Sequence, residues 1–121
     1  MGYPNKKHVL LVGGDSSWVN LATLALQPFD TSRVEGGNDA IALLESRTTP
    51  IDALLTDTRT ASALLKWTRQ NREELPVIVM PAQPMDEEAY FLDLGALSVV
   101  RPQTPEKLTS LLDVYFALAP N

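Results

Sequence analysis

The sequence predicts an α/β domain of the doubly wound type, and two observations carry that prediction. Short apolar runs rich in Val, Leu and Ile recur at residues 8–12, 51–56 and 76–80. They are too short for helices and apolar on both faces, as strands covered on both sides of a parallel sheet should be. Between them lie stretches whose apolar residues recur every three or four positions, the period of a helix with one buried face. Strands alternating with helices fold into a parallel sheet, and right-handed crossovers place helices on both of its faces. In such a sheet ligands and chemistry gather at the carboxyl ends of the strands, here Gly13, Gly14, Asp57, Pro81 and Arg101.

After a polar leader, residues 1–7, the run His8-Val9-Leu10-Leu11-Val12 is the first strand and Gly13-Gly14 its turn. Asp15 or Ser16 caps a helix that carries Trp18, Leu21, Ala22, Ala25 and Leu26 and runs to about Gln27, before Pro28. A second strand is expected at residues 32–35, and after Gly36-Gly37 Asn38 is expected to cap a helix containing Ala40, Ile41, Leu43 and Leu44. Pro50 opens the third strand, which ends on Asp57. Residues 58–62 read as a short polar connection to a helix through Leu64, Leu65, Trp67 and Thr68. The fourth strand, residues 76–80, leads into the loop Pro81-Ala82-Gln83-Pro84. Pro84 suits a first helical turn, Asp86, Glu87 and Glu88 suit the positive end of the helix dipole, and Gly95 suits its C-terminal stop. Ser98-Val99-Val100 is the fifth strand. Thr104 as cap and Pro105 as first residue start the last helix, with Leu108, Leu111, Leu112, Tyr115 and Phe116 on it.

The 121 residues fit a single domain, with residues 119–121 as a tail or the start of a linker. A net charge of −5 without clustered Lys or Arg argues against a nucleic-acid surface. Having no cysteine, the chain has no disulfide, thiolate metal site or Cys nucleophile, and fits a reducing compartment. No apolar run approaches a membrane span, so a cytoplasmic location is expected.

In order and spacing, Val9-Leu10-Leu11-Val12, Asp39-Ala40-Ile41, Asp52-Ala53-Leu54-Leu55-Thr56-Asp57, Leu64-Leu65-Lys66, Pro76-Val77-Ile78-Val79, Gly95-Ala96 and Arg101-Pro102 followed by Glu106-Lys107-Leu108 match one known pattern. Over nearly its whole length the chain resembles the receiver domain of two-component response regulators. The resemblance implies a flavodoxin-like five-stranded parallel sheet of order 2-1-3-4-5 and a role in phosphorelay signal transduction. It also implies a histidine kinase or an output domain as protein partner, and homodimers through the fourth helix, fifth strand and fifth helix, residues 85–118. Receivers phosphorylate themselves on an aspartate. A Mg²⁺ held by that aspartate and an acidic pair after strand one, a Ser or Thr after strand four and a Lys after strand five stabilise the transferred phosphoryl group; positioning and electrostatics supply most of the rate.

Of that set only the aspartate is retained. Asp57 stands at the phosphoacceptor position, but Gly13 and Gly14 replace the acidic pair and offer no side-chain oxygen to a cation that needs several. Pro81 replaces the hydroxyl, Arg101 replaces the Lys, and Ser98 stands where an aromatic switch residue is usual. The connection after Asp57 is several residues short, and the turn after Gly95 is a residue short. These departures mark a degenerate receiver, or pseudo-receiver, with no catalytic residue, no Mg²⁺ and no other cofactor expected, acting through protein contacts independently of phosphorylation. A receiver phosphorylated on Asp57 through a non-standard site is the alternative reading.

Three readings of Asp57 stay open: phosphoacceptor, partner of Arg101, or capping group. Asp15 reads as a helix cap or a substitute metal ligand. The Gly13-Gly14 turn before a helix offers a further alternative, a nucleotide or flavin sensor, although no full G-x-G-x-x-G or Walker pattern is present. His8 reads as a surface or strand-end residue, and Trp18 and Trp67 as packing, with Trp67 beside Lys66 and Arg69 open to an interface rim.

Overall fold

The structure is a computed structural model and describes residues 7–13, 16–27, 29–46, 48–81, 88–100 and 105–118. Its elements run β1 (His8–Val12), α1 (Ser16–Ala25), β2 (Asp30–Val34), α2 (Gly37–Ser46), β3 (Ala53–Thr56), α3 (Thr58–Asn71), β4 (Val77–Val79), α4 (Glu88–Asp93), β5 (Ser98–Val99) and α5 (Pro105–Leu118). The five strands form one parallel sheet in the order β2-β1-β3-β4-β5. That is the predicted doubly wound topology.

Strand alternation explains why both faces are apolar. Leu10, Val12, Leu54, Val77 and Val79 point to one side and join Ala40 and Leu44 of α2, Ala61, Leu64 and Leu65 of α3 and Phe91 of α4. Val9, Leu11, Ala53, Leu55 and Ile78 point to the other and meet Trp18, Ala22 and Ala25 of α1 and Leu108 and Leu112 of α5. Successive side chains of a strand face opposite ways, so a strand between two helical layers needs an apolar residue at every position. Each fully buried Leu contributes about 1.5–3 kcal/mol of transfer free energy, so these layers dominate the stability.

Several boundaries differ from the sequence expectation by a residue or two because ladder bonds reach past the regular strands. Asp52 N–H donates to His8 C=O at 2.8 Å, Met80 N–H to Thr56 C=O at 2.9 Å and Val100 N–H to Val79 C=O at 2.9 Å. The second strand begins earlier than expected, at Asp30, whose N–H donates to Lys7 C=O at 2.9 Å. Helix α1 stops at Ala25, and Leu26 N–H divides between Ala22 C=O (3.0 Å) and Thr23 C=O (3.2 Å) in a tightened last turn. Asn38 is not the cap of α2. It lies inside the first turn, since the helix starts at Gly37 and Ala40 N–H already bonds Gly36 C=O at 3.1 Å.

The largest departure follows Asp57. Residues 58–62 form no connection: α3 begins at Thr58, directly after the strand-end aspartate.

Candidate functional site

Three stretches meet at the carboxyl end of the sheet: Gly13 after β1, Asp57 after β3 and Pro81 after β4. Asp57 N–H donates to Val12 C=O at 3.3 Å, which fixes its backbone beside the end of β1. The residue is 4% exposed, a buried carboxylate that must be met by donors.

Those donors come from the helix it opens. Asp57 has an extended backbone, φ −77° and ψ 178°, and its side chain caps α3. Oδ1 accepts from Thr60 N–H at 3.2 Å and from the Thr60 hydroxyl at 3.1 Å. The Thr56 hydroxyl lies between the Thr60 hydroxyl and Asp57 C=O (3.0 Å) and shares its single proton between them. Oδ2 lies 3.7 Å from Arg59 Nε, but that arginine side chain is 82% exposed, so the pair adds little.

Gly13 completes the enclosure from the β1 side. With φ at +80° it holds a conformation open chiefly to glycine, and a Cβ there would stand 2.6 Å from Asp57 Oδ2 and 2.9 Å from its Cγ. The glycine therefore does more than remove a side-chain oxygen: it supplies the space that the Asp57 carboxylate fills. Its N–H is also engaged, donating to Val34 C=O at 3.0 Å.

Pro81 is buried just past the end of β4, after Met80. Trp18 closes the site from α1 by donating its indole N–H to Met80 C=O at 2.6 Å. Ser98 lies half-buried on β5. Gly14, Asp15 and Arg101 lie outside the described residues, and so does the expected Asp57–Arg101 pair. So do Pro84, Asp86, Glu87 and Thr104 as helix-start residues. Among the described residues, no group of three or more His, Cys, Asp or Glu side chains is placed to hold a metal ion.

Among the described contacts Asp57 caps α3, and those contacts add two residues that sequence reasoning missed, Thr56 and Thr60. A signal for them existed. An aspartate followed three positions later by a residue whose N–H it can accept is the N-cap pattern, and it was obscured by the expectation of a connection at residues 58–62. At the other end of β1, His8 is at a strand end as expected, with its Nε2 2.8 Å from Ser32 Oγ. Trp18 is core, and Trp67 packs half-buried against the α2–α3 side of the core.

No protein-family model matches the chain, and no curated protein sequence matches it. Solved structures do. The signal receiver domain of a protein assigned as a Luxo repressor from Vibrio parahaemolyticus matches with a TM-score of 0.76 at 24% identity, over 93% of this chain and 91% of that one. A protein assigned as a response regulator from Chloroflexus aurantiacus matches with a TM-score of 0.81 at 19% identity, over 93% and 99%. The BeF3-activated receiver domain of Nitrogen Regulatory Protein C matches with a TM-score of 0.68 at 27% identity, over 93% and 98%. The fold of this chain is that of a response-regulator receiver domain.

Proposed function

We propose that this chain is a pseudo-receiver: a signal-transduction module on the receiver fold that works through protein contacts, independently of phosphorylation. One observation carries the reading. The Asp57 carboxylate is used as the cap of α3 and packed against Gly13, whose missing side chain leaves it that room.

A receiver's Mg²⁺ does not fit the residues described here. Mg²⁺ demands near-octahedral oxygen coordination, with one or two carboxylates supplied by the protein. The described site supplies one carboxylate, whose Oδ1 already accepts two hydrogen bonds, and a glycine where an acidic partner would stand. Without a cation, negative charge developing on a transferred phosphoryl group beside the Asp57 carboxylate would lack its main source of neutralisation. The same carboxylate opposes the sensor alternative, because an anion cradled at the Gly13 turn would sit against it. The phosphorelay alternative draws its support from the likeness to a BeF3-activated receiver, and it requires Asp57 to leave its cap.

Contacts with a partner, a kinase, an output domain or a second copy, would use the face of α4, β5 and α5. Large apolar side chains are exposed on these elements: Tyr90 and Leu92 on α4, Leu97 just before β5, and Val114 and Leu118 on α5, Leu118 by 79%. No helix among the described residues is long and apolar enough to cross a membrane.

The test is incubation with Mg²⁺ and a small phosphodonor such as acetyl phosphate, followed by intact-mass measurement. The expected result is an unchanged mass. A stable gain of one phosphoryl group that disappears in Asp57→Asn would overturn the reading and favour the phosphorelay.

A further inference from the structure

Opposite the Asp57 site, where β3 and β4 begin and α3 and α5 end, lies a cavity of about 280 Å³ that plays no part in the proposed function. One wall is aromatic: Tyr115 and Phe116 sit edge to face with centroids 5.7 Å apart. Four charged side chains, Lys7, Asp52, Arg72 and Glu74, line the rest together with Ile51, Leu75 and Pro76.

Their existing bonds leave capacity for a ligand. Arg72 donates its Nε–H to Glu74 Oε2 at 2.7 Å, and among the described residues its two η nitrogens have no hydrogen-bond or ion-pair partner, although the side chain is only 20% exposed. The pair with Glu74 fixes the guanidinium plane, so the free edge is a pre-oriented fork of the kind that takes a carboxylate bidentately. Lys7 Nζ lies 5.7 Å from the centroid of Phe116, a cation–π contact, and is in no ion pair among the described residues. Asp52 uses Oδ2 to accept His8 N–H at 2.8 Å. Cations and carboxylates thus share a single small space with an apolar wall.

We infer that this cavity binds a small zwitterion of the α-amino-acid type with an apolar side chain. The ligand carboxylate meets the Arg72 η nitrogens and Lys7, its ammonium meets Asp52, and its side chain lies against Tyr115 and Phe116. A ligand with one charge would desolvate the wall of the opposite kind without pairing it, which sets the preference for both. The volume falls just below the roughly 300–1,000 Å³ of drug-sized pockets and suits one such molecule. The inference does not rest on the role of Asp57.

Isothermal titration of the full chain with L-leucine and with L-phenylalanine tests it, with leucinamide (no carboxylate) and 4-methylpentanoate (no ammonium) as probes. Saturable binding of at least one amino acid is expected, weakened by at least about tenfold when either ligand charge is removed and in Arg72→Gln. Lys7→Met, which leaves the Arg72–Glu74 pair intact, should weaken it as well and decides the matter if Arg72→Gln does not fold. No saturable heat with either amino acid would overturn the inference. So would equal binding of leucinamide or 4-methylpentanoate, or full affinity in the folded variants.

Discussion

At the scale of single residues, Asp57 and Gly13 explain each other. A carboxylate at the end of a buried strand needs donors, and Thr60 provides two to its Oδ1. The same carboxylate needs room on the β1 side, which only a residue without a Cβ leaves. Gly13→Ala should therefore cost about 2–4 kcal/mol in urea unfolding, from a left-handed backbone and a clash together. In an Asp57→Gly background the clash component is gone, so the cost should fall by about 1 kcal/mol or more in a double-mutant cycle. Equal costs in both backgrounds would mean that the carboxylate does not occupy this space. The sequence marked Asp57 and Gly13 as the site because both fall at strand ends. It did not show that the two touch, because a contact across neighbouring strands depends on register, which a single chain of letters does not carry.

Among the elements, helix ends were the least legible and strand interiors the most. The unbroken apolar runs of β1, β3 and β4 are visible residue by residue, since both faces of each strand are buried. The start of α3 was missed because Thr58 and Thr60 are weak helix formers on propensity alone, and the buried cap and the packing of Ala61, Leu64 and Leu65 override that preference. The end of α4 was legible because of a single glycine. Gly95 has φ +110°, its N–H bonds Leu92 C=O at 3.0 Å, and Ala96 N–H bonds Phe91 C=O at 3.0 Å, the paired bonds of a Schellman stop. A Cβ at Gly95 meets nothing within 4 Å, so Gly95→Ala isolates backbone strain and should cost about 1 kcal/mol by chemical denaturation, well below Gly13→Ala. A cost equal to that of Gly13→Ala would show that the Asp57 contact contributes nothing.

On the scale of the whole molecule, the fold follows from layering and was readable throughout: a five-stranded sheet in the order predicted, with helices on both faces. The candidate site was readable only in part. Its residue types named the family pattern and its departures, while the use now made of the aspartate came from three-dimensional contacts. The central claim is that the Asp57 carboxylate serves α3 as a cap rather than a cation and a phosphoryl group. The urea midpoint of the wild-type chain with and without Mg²⁺, with Asp57→Ala as reference, tests it most directly. The cap account predicts that Asp57→Ala loses about 1 kcal/mol and that Mg²⁺ leaves the wild-type midpoint where it is. A wild-type midpoint that rises with Mg²⁺, together with an Asp57→Ala variant more stable than the metal-free wild type, would contradict it.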